Sequence, residues 1–417
     1  MSDRTRLTEL FQAMVTEARG LENLHFPDLP KGRLLILGAG KAAASMAQHV
    51  ERHYAEVLSR IEGFVVVPYG HGEHVDRIRV FEASHPTPDD ESLRRGSDML
   101  SVAHSLGADD HLLMLMSGGA SSLLVVPRGA LSLQQKRAAT AELLKSGLPI
   151  RLVNGVRKRL SAIKGGRLAL AAASAPVTTL VVSDVPGDDS AEVGSGPTVP
   201  DALSTAQIRE AIRTTGVVLG EALEQMLAAS EAETPKPGDP RLPLLDCRVI
   251  MTAEKGLAAA ERKARQWGFD VVNLGAAVEG EARDVARLHA EQAGRMLARG
   301  LPRPCVILSG GETSVTVRGS GRGGRNGEYL LALGLALRGV KFAALAADTD
   351  GIDGRGTNAG AYLDDVLLGQ ADGMGLDPER ELSNNNALAV FEKLGSLVVT
   401  GPTRTNINDF RAILLSA

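Results

Sequence analysis

The residues of this chain best suited to chemistry gather around glycines. In LLILGAGKAAASMAQHV, residues 34 to 50, Lys41 follows Gly38 and Gly40 and precedes a run of small residues. A short apolar strand, a glycine turn and a helix leave the first N–H groups of the helix pointing outwards, which suits an anion. Three readings compete. Gly38, Gly40 and Ala43 match a loose dinucleotide pattern, which expects an acidic residue about 20 positions on, at the end of the second strand. The run GFVVVPYG ends instead in Pro68 and Tyr69. The nucleotide pattern G-x-x-x-x-G-K-[ST] fails at Leu35 and at Ala42. The third reading sets Lys41 beside a phosphate or carboxylate.

Other segments carry complementary chemistry. Ser117-Gly118-Gly119-Ala120-Ser121-Ser122 offers successive backbone N–H groups and hydroxyls with little bulk, a composition suited to phosphate oxygens. Ser309-Gly310-Gly311-Glu312-Thr313 repeats the pattern. In NGVRKRLSAIKGGRLA, Asn154, Arg157, Lys158, Ser161 and Lys164 fall at helical spacing, so one helix face could present an amide and cations. Arg325 lies between a glycine-rich loop and a helix start, where guanidinium and helix N–H groups together suit an anion. Asp184, Asp188 and Asp189 follow one apolar strand, and Asp348, Asp350 and Asp353 follow another. Carboxylates of this kind suit Mg²⁺, and a single one can accept a hydroxyl proton. His85, in ASHPTPDDES, also stands at a strand end. The segment GSGPT does not follow the nucleophile-elbow pattern of serine hydrolases.

These loops need a frame. Apolar runs such as RLLILG, GFVVVP, HLLMLMS, VTTLVVSD, PCVILSG and KFAALAA alternate with helical segments, which predicts an α/β fold with mostly parallel sheets. At 417 residues two domains are expected, and the proline-rich segment 230–243 is the natural linker, giving domains 1–232 and 243–417 unless an element crosses over. The net charge of −4 argues against a nucleic-acid partner. Cys247 and Cys305, in strand-like runs, suggest neither a disulfide framework nor a zinc site. With no signal-like N-terminus and no apolar stretch of membrane-spanning length, a cytoplasmic protein is expected.

The ordered series GAGKAAASMA, SHPTPD, SGGASSL, NGVRKRLSAIKGGRLA, SDVPGDD, GSGPT, SGGETSV, GRGGRNGEYLL, AADTDGIDG and TGPTRTNINDF resembles the class II glycerate 2-kinases, whose C-terminal part is the MOFRL domain. The resemblance runs from about residue 34 to the C-terminus. It implies a Rossmann-like first domain, an active site in the cleft between two domains, and phosphorylation of D-glycerate at its 2-hydroxyl by ATP with Mg²⁺ or another divalent metal. It also implies that Lys41 and Arg325 are the essential cations, each within an intact motif. Within this reading, Asp188 or Asp189 orients or deprotonates the hydroxyl. ATP is expected at Gly38, Gly40, Ser117, Gly118, Gly119, Ser121, Lys164, Gly165, Gly166 and the 309–313 loop. His85, Asn154, Arg157 and Asn326 are expected at the acceptor, and Asp184, Asp348 and Asp350 at the metal. Gly327 departs from the family, which often has glutamine there. The alternative function is an NAD(P)-dependent hydroxypyruvate reductase, and the sequence leaves homo-oligomer formation open.

Overall fold

The structure, a computed structural model, describes residues 1–415 apart from 22, 23 and 302. It divides into two compact units, Leu21–Ile250 and a second made of Met1–Gly20 with Met251–Ala417.

The Leu21–Ile250 unit is built on β1 (Leu34–Ala39), β2 (Ile61–Pro68), β3 (Arg79–Ala83), β4 (His111–Met116), β5 (Val177–Val182) and β6 (Leu245–Met251). Their order is β3-β2-β1-β4-β5-β6, the doubly wound arrangement. β1 pairs in parallel with both β2 and β4, and every residue of β1 is buried. Continuous apolar runs follow from that double burial, since both faces of a parallel sheet lie under helices. The helix Ala43–His53 buries Ala43, Ala44, Met46, Ala47 and Val50, and its small alanines bring the axis close to the sheet.

The second unit carries β7 (Asp270–Asn273), β8 (Gly280–Glu281), β9 (Cys305–Ser309), β10 (Thr313–Ser314), β11 (Phe342–Asp348), β12 (Gly360–Asp364), β13 (Leu397–Val398) and β14 (Asp409–Leu415). Its main sheet runs β13-β12-β11-β14-β9-β7, and only β7 and β9 pair in parallel. The expectation of mostly parallel pairing therefore holds for the first sheet and not for this one. The link from β11 to β12 contains no helix, and antiparallel neighbours can be joined without the crossover that parallel ones need.

Two elements sit elsewhere than the linear reading places them. β6 follows the proline-rich segment yet closes the first sheet beside β5, so the divide falls after Ile250 rather than at 230–243. The helix Asp3–Arg19, capped by Ser2, belongs to the second unit. It buries Leu7, Leu10, Phe11, Met14 and Ala18 as one helical stripe. Phe11 meets Phe410 with ring centroids 5.8 Å apart, and a β-carbon on Gly256 would lie 3.0 Å from Met14 Cγ, which explains the close approach of the helix Ala253–Gln266. Among the described residues no helix is long and apolar enough to cross a membrane.

Candidate active site

In a doubly wound sheet the order of strands reverses between β1 and β4, and ligands bind beyond the carboxyl ends of the strands at that point. The two loops there are stitched together. Lys41 N–H donates to Gly118 O at 2.8 Å, Ala42 N–H to Ser117 Oγ at 2.9 Å, and Ser117 N–H to Ala39 O at 3.1 Å. Gly40 has φ +125°, and a β-carbon on it would lie 2.2 Å from Ser117 Oγ, so only glycine fits.

This stitching changes what the first glycine loop can do. The N–H groups of Gly40, Lys41, Ala42 and Ala43 all have acceptors inside the protein. Gly38 lies within β1, and a β-carbon on it would meet Leu115 O at 2.8 Å, so its absent side chain serves strand packing. The open backbone cradle expected at Gly38 and Gly40 is therefore not built, and the loop's offering is the Lys41 side chain. The cradle lies one strand over. Chain carbonyls accept from the N–H groups of Ser117, Ala120 and Ser122, whereas those of Gly118, Gly119 and Ser121 have no acceptor among the described residues. Gly119 takes the left-handed conformation at φ +87°, and a β-carbon there would lie 3.2 Å from His85 Cδ2 and 3.6 Å from Lys41 Cγ. The SGG loop after β4, the end of β1 and the SHP segment thus converge on one glycine.

Ser121 anchors a cationic cluster. Its Oγ receives Arg157 Nη2 at 2.8 Å and Lys164 Nζ at 2.7 Å, and lies 3.1 Å from Ser195 Oγ. The helix Ile150–Arg159 ends before Ser161 and Lys164, so these two stand in the following turn and not on the expected helix face. Arg157 Nη1 donates to Asn154 Oδ1, whose amide and Lys158 Nζ both donate to Glu192, each at 2.8 Å. Gly165 and Gly166 donate to the carbonyls of Ser195 and Gly196, tying this turn to the GSG segment. Burial, then the charges of Arg157, Lys136 and Lys158, hold the Lys164 amine well below the usual lysine range.

The loop after β5 is less constrained. Asp188 has φ +55°, and Asp189 accepts from Ala191 N–H at 2.9 Å in a local turn. Among the described residues no three His, Cys, Asp or Glu side chains converge as metal ligands. Asp184 belongs to the Leu21–Ile250 unit and Asp348 and Asp350 to the other.

Around Arg325 the charge is opposite. Its Nε meets Asp409 Oδ1 at 2.9 Å, Nη2 meets Asp348 Oδ2 at 2.6 Å, and Nη1 meets Glu312 Oε1 at 3.2 Å. Burial pulls the guanidinium pKa down, but Asp409, Asp348 and Glu312 outweigh it and raise it above the ordinary value. The helix Arg325–Ala336 presents fewer open N–H groups than expected, because the Asp353 carboxylate accepts from Asn326 N–H at 3.0 Å and Gly327 N–H at 2.9 Å. Burial lifts the Asp353 pKa to about 6, against those hydrogen bonds. Asn326, expected at the acceptor, is fully buried and gives its amide to Asp409 at 2.7 Å. Its amide positions Asp409, while its Oδ1 is buried with no hydrogen-bond partner among the described residues. The 309–313 loop packs on its neighbours: Gly310 N–H donates to Gly275 O, Asp409 N–H to Gly311 O, and Thr313 enters β10. A cavity of about 720 Å³ opens beside it, with Arg325, Glu328, Gly354 and Asn385 in its lining.

Comparison with known proteins decides the family. Residues 5–228 match a domain of unknown function, DUF4147, and residues 305–409 match the MOFRL family. A D-glycerate 2-kinase of Thermotoga maritima is 35% identical, with 92% of this chain and 91% of that one aligned. The crystal structure of a Thermotoga maritima glycerate kinase superposes with a TM-score of 0.83 over 99% of this chain and 98% of that one, at 33% identity. The chain belongs to the glycerate kinase family. A protein of Agrobacterium vitis provisionally named hydroxypyruvate reductase is 44% identical, covering 100% of this chain and 95% of its own.

Within this member of the glycerate kinase family, several partners escape a linear reading. Asp409 binds Arg325, Asn326 and Arg411 from the far end of the chain. Glu192 and Ser195 complete the cluster at Ser121. The glycines flanking Ser195, both at positive φ, were the available signal.

Proposed function

We propose that this protein transfers the terminal phosphoryl group of ATP to the 2-hydroxyl of D-glycerate, giving 2-phosphoglycerate and ADP. Membership of the glycerate kinase family supports phosphorylation of glycerate, and the Thermotoga maritima relative is named for the 2-position. The observation that carries the reading is the cradle of Gly118, Gly119 and Ser121 N–H groups at the strand switch point, beside Lys41 and His85. Phosphoryl transfer demands positioning and neutralisation of phosphoryl oxygens, which fixed N–H groups and an ammonium provide without reorganising.

Lys41 is assigned to the transferring phosphoryl group, and a carboxylate of the loop holding Asp188 and Asp189 to the acceptor hydroxyl. Arg325 is assigned to the same reaction through its motif, as a cation held in one orientation by its carboxylates. A divalent metal is proposed to enter with the nucleotide phosphates, since Mg²⁺ is usually bound by one or two carboxylates together with substrate phosphates.

The reductase reading draws on the name of the Agrobacterium vitis relatives. It meets two obstacles here. β2 ends at Pro68, where a ribose-binding acid would stand. The N–H groups of the first glycine loop, which would take the pyrophosphate, are already bonded within the protein. Incubation with D-glycerate, ATP and Mg²⁺, with ADP release followed and the product identified by NMR, tests the kinase. Formation of 2-phosphoglycerate supports it. Absence of ADP together with oxidation of NADH by hydroxypyruvate overturns it.

A further inference from the structure

The Leu21–Ile250 unit holds a cavity of about 310 Å³ reaching Ser121, and its walls are unlike. Pro86, Pro88, Val125 and Leu144 give one apolar surface, while Lys136, Arg137, Arg157 and Lys164 give four cations with no carboxylate in the lining. Cations buried side by side are costly unless an anion joins them. Lys136 feels that cost: burial, then the charges of Arg157, Arg167 and Arg128, push its amine down to about 7. Its Nζ donates only to backbone carbonyls, those of Leu160 at 2.9 Å and Arg157 at 3.3 Å. Arg137 gives Nη2 to the Pro88 carbonyl, but its Nε is buried with no hydrogen-bond partner among the described residues. A buried donor left unpaired in a cationic wall marks a place where a ligand acceptor belongs.

The ligand must also answer the apolar wall. Every carbon of glycerate carries oxygen, so that acceptor would leave the wall unused. A nucleotide presents a flat base for such a wall and phosphates for the cations, and cavities of roughly this size, from about 300 Å³, are typical of small-molecule sites. We infer that this cavity binds the adenine nucleotide, with the base and ribose along Pro86, Pro88, Val125 and Leu144. The phosphates run past Arg137, Arg157 and Lys164 towards the N–H groups of Gly118 and Gly119. Ser121 contributes to both places, its hydroxyl to the cations and its N–H to the cradle. The assignment rests on the kinase reading and divides its two substrates, leaving D-glycerate to be held elsewhere.

Ala141 and Leu144 line the cavity and are exposed, so new side chains there alter the cavity without entering the core. ADP is titrated calorimetrically into the full-length wild type, Ala141→Phe and Leu144→Glu, and KM is measured for ATP and for D-glycerate. Filling the space or placing a carboxylate in it should weaken ADP binding and raise KM for ATP by about tenfold or more, with KM for D-glycerate within about twofold. Unchanged ADP affinity in both variants overturns the placement and leaves the kinase reading standing. A rise confined to KM for D-glycerate overturns it in favour of the acceptor. Failure of the wild type to bind ADP overturns the placement and the kinase reading together.

Discussion

The two charged centres of this protein are built in opposite senses. Around Ser121, Lys136, Arg157, Lys158 and Lys164 outnumber the acids that face them, Glu192 and Asp201. Around Arg325, the carboxylates of Glu312, Asp348 and Asp409 outnumber their cations, Arg325 and Arg411. The first centre has fewer anions than cations and gains from a ligand that brings more. The second is already saturated, so Arg325 acts as a fixed cation whose orientation is set before any ligand arrives. A similar serine-glycine-glycine sequence thus serves an open cradle in one place and a packed support in the other.

The difference can be broken most severely at Arg325. Arg325→Ala removes the cation shared by Asp348 and Asp409, which are both buried, and is expected to cost roughly 3–5 kcal/mol of stability as well as activity. Urea denaturation beside a kinase assay checks both, and unchanged stability would contradict the saturated-centre picture. Lys41→Ala should behave in the contrasting way. Its proposed role lies in the transition state, so kcat is expected to fall about 10²–10³-fold while the urea midpoint hardly moves.

Lys136 offers a pH test of the cation-rich centre. Folding lowers its pKa from 10.5 to about 7, so between those values the unfolded chain binds a proton that the folded protein does not. Stability conferred by this group is therefore full above 10.5 and is lost as pH falls towards 7. Relative to Lys136→Met, the wild type should gain at most roughly 1.4 kcal/mol per pH unit between these limits, measured by denaturant titration at several pH values. A constant difference between the two proteins would show that the amine is not desolvated.

The smallest effects separate two glycines. Gly119→Ala forces a left-handed conformation and crowds His85, for an expected cost of about 1–2 kcal/mol with weaker nucleotide binding. Gly327 is helical, and an added β-carbon would meet Ala387 Cβ and Asp353 Oδ2 at an ordinary 3.5 Å. Gly327→Ala should therefore be neutral or slightly stabilising, by up to about 1 kcal/mol on helix propensity. Thermal melting compares the pair, and equal losses would mean that the loop at Gly119 relaxes freely.

Much of the first unit is legible in its sequence. The runs RLLILG, GFVVVP and HLLMLMS become β1, β2 and β4 because a parallel strand buried on both faces must be apolar throughout. The second unit reads less well. DFRAILL forms the central strand β14 although Asp409 and Arg411 are charged, because each neutralises the other inside the sheet. The helix Asp3–Arg19 shows its apolar stripe in sequence but not its destination, since a stripe specifies that a partner exists and not which one.

The candidate site divides in the same way. Residue types and spacing alone determined that Lys41 follows a glycine turn, that Ser117 to Ser122 is rich in N–H groups and hydroxyls, and that Arg325 begins a helix. Only the tertiary structure decided which N–H groups are spent and which remain. Ser117 takes Ala42, and Asp353 takes Asn326 and Gly327, across 75, 27 and 26 residues of chain respectively. Hydrogen bonds saturate their donors whatever the sequence distance, so an anion site is defined by what its neighbours leave unpaired, and that is settled where strands and loops meet in space.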